Sequence, residues 1–208
     1  MDKTKSTEEN ILVAAREVFM KKGFSAARMC DIAHEANINP ALLHYYFRKK
    51  DKLFDMIFVR ESNQFHANIL SILQSDLPFF EKLKQVIEAD IRKITAAPYI
   101  PMFILNEMHS NAERIKQYND SIPKQKEVFK IFIGLVEKEQ MEGRIRQVCP
   151  RQLLISLFGM TMFPFLAQPM IQASLDLEQV NFDQIIGERT QFLYDFIKGS
   201  LEVVHAKK

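Results

Sequence analysis

Between Gly23 and Leu53 the chain is punctuated so closely that only short helices fit. Gly23 can take a left-handed conformation at no steric cost and so end a first helix. Ser25 is a good N-cap for a second, whose Met29, Ile32, Ala33 and Ala36 fall on one buried face. Asn37, one of the few non-glycine residues that tolerates positive φ, closes that second helix. Asn39-Pro40 then opens a third, since asparagine is a strong N-cap and proline belongs at the first helical position. In the third helix Leu43 and Phe47 turn inward, leaving Pro40, Ala41, His44 and Tyr45 outside. Two short helices joined by a tight turn, with an aromatic and basic cluster after them, are predicted.

The same helical periodicity runs through the rest of the chain. Ile11, Ala14, Ala15, Val18 and Phe19 share one face of a first helix over about residues 7–22, with Ser6 and Glu9 spaced as a capping box. From Lys50 or Asp51 a longer helix carries Leu53, Phe54, Ile57, Phe58 and Phe65 on its inner side. Prolines punctuate the remainder of the chain, and helices are expected near 79–95, 99–109, 122–142, 150–167 and 178–203, with Gly143 as a terminator. No alternating run insists on a strand and no Asn-Gly hairpin signal is present, so the expected fold class is all-α.

Several function classes are disfavoured. Cys30 and Cys149 lie far apart and give neither a disulfide framework nor zinc-ligand spacing. The polar N-terminus resembles no leader segment, and the longest apolar run, Leu153 to Ala167, is interrupted by Ser156, Gly159, Thr161 and Pro164 and is shorter than the ~20 residues of a spanning helix. A cytoplasmic protein with no membrane partner is the expectation. No glycine-rich phosphate loop, nucleophile elbow or clustered carboxylate pair supports an enzyme, and no cofactor is expected.

Net charge is only +2, yet residues 1–60 carry 11 Lys and Arg against 8 acids, whereas the remainder carries 17 against 18. The excess lies where the turn lies. A helix fits the major groove of B-DNA, and a second helix braced across it sets the angle of entry. The outer face here presents Pro40, Ala41, Leu42 and His44: His44 can hydrogen-bond to a base edge, and Ala41 and Leu42 offer methyl contacts to thymine. That set lacks the Arg, Asn and Gln that make bidentate base contacts, so DNA shape must carry part of any specificity. Tyr45, Tyr46, Arg48, Lys49 and Lys50 are the phosphate-facing candidates. Lysines at a helix start oppose its dipole by up to ~1 kcal/mol each, and a docked phosphate would reverse that sign.

On these residues, 8–55 resemble the DNA-binding head of the TetR family of bacterial transcriptional regulators. The likeness rests on the helix ending in Gly23-Phe24, then Ile32-Ala33, Ala36, Ile38, Leu43, Phe47, Lys50 and Leu53 in register. The resemblance implies that Lys50 holds a phosphate, that Tyr45 and Tyr46 contact the backbone, and that the helix from Asn39 to Tyr45 reads DNA. Asn37 stands where glycine is usual, His44 replaces a tyrosine and Lys49 a small capping residue. Ala27 replaces a phosphate-touching threonine, with Arg28 its substitute.

The resemblance further implies a helix-turn-helix head over residues 1–52 and a larger helical domain over 53–208. That domain would bind a small, largely apolar effector and form a homodimer through the last two long helices. Ser156, Gly159 and Ala167 permit close approach in the first of these, and Phe182, Ile185, Ile186, Phe192, Leu193, Phe196 and Leu201 make an apolar stripe in the second. The DNA partner would be a palindromic duplex, and the commoner outcome repression. Candidate effector contacts are Met102, Phe103, Asn106, His109, Phe132, Met160 and Phe163, with Tyr118 a further polar group. Cys30, near a helix start, is a candidate redox thiol, although a small filler is the simpler reading. The competing reading is a helical enzyme or cofactor carrier with an incidental N-terminal hairpin.

Overall fold

The computed structural model describes residues 3–98, 100–102, 105 and 112–203. Among these it holds ten named helices and no strand. They are α1 (Lys3–Ala26), α2 (Met29–Glu35), α3 (Pro40–Tyr46), α4 (Lys50–Gln74), α5 (Phe79–Ala96), α6 (Ala112–Ser121), α7 (Pro123–Met141), α8 (Pro150–Leu166), α9 (Gln168–Ser174) and α10 (Gln179–Leu201). The all-α expectation is met.

Residues 1–64 with 97–122 form one compact unit, and 65–96 with 123–208 form a second. In the first, Ile11, Ala15, Val18 and Phe19 of α1 meet Ile32 and Ala33 of α2, Leu43 and Phe47 at α3, and Leu53, Phe54 and Ile57 of α4. Fully burying a side chain of this size contributes ~1.5–3 kcal/mol, so short helices that would not survive alone are held by their inner faces. Phe19, Phe24 and Phe54 pack with ring centroids 5.0–5.7 Å apart. Tyr118, expected as a ligand-orienting group, is instead buried against Phe58 and donates its hydroxyl to Asp55.

The core of the second unit joins α5 to α7, α8 and α10 through Leu83, Ile87, Phe132, Val136, Leu157, Phe182, Leu193 and Ile197, among others. Gly143 follows α7 at φ 68°, the terminator expected of it. Pro150 starts α8 at its first turn, where its missing N–H costs nothing. No single described helix is long and apolar enough to cross a membrane; α8 and α9 would qualify only joined, and they bend by 72°.

The helix limits and the set of helices depart from expectation in part. Backbone already helical at Lys3 takes Ser6 out of the N-cap position, because a cap must be non-helical. Helices α6 and α9 are additions to the expected set: Pro169 sits in the first turn of α9, where proline is tolerated and does not interrupt the helix. The helix expected over 99–109 lies largely outside the described residues.

Candidate nucleic-acid interface and an apolar cavity

The turn that leads into α2 depends on two devices, only one of which is glycine. Gly23 has φ 73° and breaks α1, after which one further turn closes with the Ala27 N–H on the Gly23 carbonyl. With ψ 164° this is a conformation that essentially only glycine adopts, and an L residue here would be strained by on the order of 1–3 kcal/mol. The second device is Lys50. Its Nζ donates to the carbonyls of Phe24, Ser25 and Ala27 at 2.8, 3.1 and 3.1 Å, and lies 4.6 Å from the centroid of the Phe24 ring. An ammonium has three N–H donors, and all three are engaged.

That placement gives Lys50 a role inside the fold as well: its ammonium reaches back to the carbonyl end of α1, where a cation is favoured. The electrostatic misfit read in the sequence is therefore relieved inside the fold. Correction applies to Ser25 as the cap of α2. The non-helical residue before α2 is Arg28, and its N–H donates to the Asp31 carboxylate at 3.1 Å. Asp31 also pairs with Lys22 at 2.9 Å, and these partners, Lys22 foremost, hold its carboxyl below the usual aspartate range.

The connection from α2 to α3 follows the expected chemistry. Asn37 takes φ 53°, and the Ile38 N–H returns to the Ala33 carbonyl at 3.0 Å. Asn10 on α1 donates through Nδ2 to the Ala36 carbonyl at 2.9 Å, tying the end of α2 to the first helix. Asn39 is extended and its side chain accepts from the Ala41 N–H at 2.8 Å, with Pro40 at the first helical position.

With Leu43 fully buried and Phe47 nearly so, α3 has one orientation left. Pro40, Ala41, Leu42, His44 and Tyr45 are exposed, Tyr45 at 82%. Tyr46 is half-buried, packs on the core and meets Tyr45 edge-on at 5.4 Å. Arg28, Asn39, Arg48 and Lys49 are also exposed, and among the described residues no carboxylate pairs with Arg48 or Lys49. Of the ten candidate DNA contacts, nine present some surface around α2 and α3, and Lys50 serves the turn beneath them. Asn10 and Asp31 are structural residues of this head that sequence reasoning does not single out. The signal for Asp31 is legible, an acid three residues after the residue that starts a helix; Asn10 is linked to Ala36 only through packing.

The second unit contains a cavity walled by α4, α5, α7 and α8, with about 540 Å³ of space including its mouth. Phe65, Ile87, Phe129, Phe132, Leu157 and Phe158 are prominent among its walls, and the polar side chains are His66, Asp90 and Thr161. Thr161 donates its hydroxyl to Asp90 at 2.5 Å. Burial pushes the Asp90 carboxyl above the usual range, against the opposing pulls of Thr161 and Lys93. Of the expected effector contacts, Phe132 stands on this wall. Met160 is half-buried against the core of the same unit, Phe163 is 54% exposed, and Met102 is 43% exposed in the first unit. Phe103, Asn106 and His109 lie outside the described residues. Among the described residues no group of His, Cys, Asp or Glu gathers to hold a metal.

The stripe on α10 splits in two. Phe182, Ile186, Leu193 and Leu201 are buried in their own protomer, whereas Ile185, Phe192 and Phe196 are 43%, 61% and 59% exposed. Phe192 and Phe196 stack at 6.3 Å. On α8, Ile155 and Phe163 are exposed together with Ser156 and Gly159.

Comparison with known proteins adds to this geometry. Residues 11–57 match the family model for bacterial regulatory proteins, tetR family. Over 48 residues the chain is 46% identical to the HTH-type transcriptional repressor NicS of Pseudomonas putida, a match spanning 23% of this chain and 23% of that relative. A Saccharomonospora viridis protein solved in complex with choline is 18% identical, with a TM-score of 0.75 over 96% of this chain and 99% of its own. The transcriptional regulator FadR of Bacillus subtilis, solved with stearoyl-CoA, is 17% identical, with a TM-score of 0.63 over 89% and 97%. At such identities the two structures show a shared fold. The match of residues 11–57 to that family model and the helical frame shared with the two solved structures point the same way.

Proposed function

We propose that this protein is a DNA-binding transcriptional regulator, most simply a repressor that leaves a palindromic operator when a small molecule binds. The observation that carries this reading is the outward face of α3. Its fold-holding residues, Leu43 and Phe47, are buried, and nothing in the core of the first unit requires the exposed Leu42, His44 and Tyr45. In this reading residues 1–52 are the DNA-binding head, with Pro40, Ala41, Leu42 and His44 at base edges and Arg28, Asn39, Tyr45, Tyr46 and Lys49 at phosphates. Lys50 acts indirectly, through the turn it braces.

Residues 53–208 bind the effector and dimerise. The apolar faces left open on α8 and α10 support a symmetric pairing of protomers, because exposed Phe192 and Phe196 lose water contact when they meet their own copies. Two heads would then meet half-sites ~34 Å or a multiple of that apart. The cavity supports an effector site, and the fold relatives solved with choline and with stearoyl-CoA accord with that use. The cytoplasm is the compartment this function needs. Selection of binding sequences from random duplexes tests the proposal: enrichment of a two-fold symmetric motif, bound with strong salt dependence, is expected. Failure to enrich any motif would overturn it.

A further inference from the structure

We infer that the cavity of the second unit takes an organic cation, a protonated amine or quaternary ammonium on a short apolar body, with its positive end at Asp90. This rests on the proposal that the cavity is the effector site, and adds the class of effector.

The chemistry of the walls makes the choice. Around an almost wholly apolar lining the acidic side chain is Asp90, on α5. Its one short partner is neutral: Thr161, on the facing helix α8, donates its single hydroxyl hydrogen to Oδ2. That same hydroxyl lies 3.0 Å from the Leu157 carbonyl and 3.3 Å from that of Phe158, where a helical threonine commonly donates, so its engagement with Asp90 forgoes a local bond. Lys93, one turn along α5, has its ammonium 4.2 Å from the centroid of Phe65, on an aromatic face. A half-buried carboxylate accepts up to about four hydrogen bonds, so Thr161 leaves most of its capacity open.

Three ligand classes meet this site differently. An anion would face Asp90 across a low-dielectric space and be repelled. A neutral apolar molecule would fill the walls but displace whatever water solvates the carboxylate, at an energetic cost. A cation gives Asp90 a charged partner inside the cavity and finds ring faces, since Phe65, Phe129, Phe132 and Phe158 all border it. Size limits the apolar body. The space of about 540 Å³ includes the open mouth, so the enclosed part suits a body of a few carbons.

The test uses the full-length protein and three ligands of nearly one shape: tert-butylammonium, tert-butanol and pivalate. Calorimetric titration at pH 7.5 should give the ammonium an affinity at least tenfold above the alcohol, with pivalate weakest. Asp90→Asn should bring the three within about threefold of one another, and Thr161→Val should keep the preference for the ammonium. Equal or tighter binding of the alcohol or pivalate by the unaltered protein, or an ammonium preference that survives Asp90→Asn, would overturn the inference, as would no binding by any of the three. Release of selected operator DNA separates this from the wider reading. Release by the alcohol alone would leave the effector site standing and remove the cation; ammonium binding at Asp90 without release would uphold the cation site and remove its regulatory use.

Discussion

Replacing Lys50 by methionine keeps the length of the side chain and its contact with Phe24 but removes the charge. The ammonium makes three bonds to carbonyls. A hydrogen bond to a charged group is worth about 1.5–3 kcal/mol when well buried, but Lys50 is half-buried and the Ser25 bond is exposed, so water recovers much of that value. A total of ~2 kcal/mol for the set, with ~0.5 kcal/mol more for the ring contact, is the working magnitude. For an unfolding slope of ~2–3 kcal/mol/M the urea midpoint should fall by roughly 1 M. DNA affinity should fall too, because α2 is no longer held. The salt dependence of binding should nevertheless keep its slope, since a lysine already committed to carbonyls displaces no counterion from a phosphate. Lys49→Gln should behave the opposite way: an unchanged urea midpoint, and a slope of log K against log salt reduced by ~0.9 for one lost phosphate contact. If Lys50→Met leaves the midpoint alone and lowers the slope by about one unit, the bracing role is wrong.

Asn39→Ala removes the side-chain oxygen that accepts from Ala41 and should cost ~1 kcal/mol in denaturant unfolding. Phe192→Glu places a charge on the exposed face of α10 and should weaken self-association at least tenfold in analytical ultracentrifugation, with helical content unchanged by circular dichroism. Arg144 binds Glu139 through two bonds at 2.6 and 2.7 Å and holds its carboxyl below the ordinary 4.5. The stability this contributes is complete above pH 4.5 and is lost as pH falls through the lower folded value, so Glu139→Gln should flatten the acid limb of a urea-midpoint profile. Asp90 has the reverse sign: its raised carboxyl makes ionisation costly, so stability drops as pH rises through the folded value. Asp90→Asn should therefore raise the melting temperature at pH 8 and have little effect below the ordinary 3.8.

Local chemistry determined the break at Gly23 and the course of the chain from Asn37 to Phe47. Glycine at positive φ, Asn37 in the left-handed region and Asn39-Pro40 as cap and first turn are properties of single residues and their neighbours, so spacing suffices to read them. Periodicity likewise placed Leu43 and Phe47 inside and His44 and Tyr45 outside, because a seven-residue helix with two anchors has one stable roll.

Only tertiary structure decided where long side chains spend their charge and which apolar residues face their own protomer. Lys50 lies 23 to 26 residues from the carbonyls it binds, and Thr161 lies 71 from Asp90. Phe192 and Leu193 are neighbours in sequence and equal in hydrophobicity, yet one is exposed and the other buried. Composition and spacing carry no record of such partners, since flexible side chains choose among acceptors that the packed helices bring within reach.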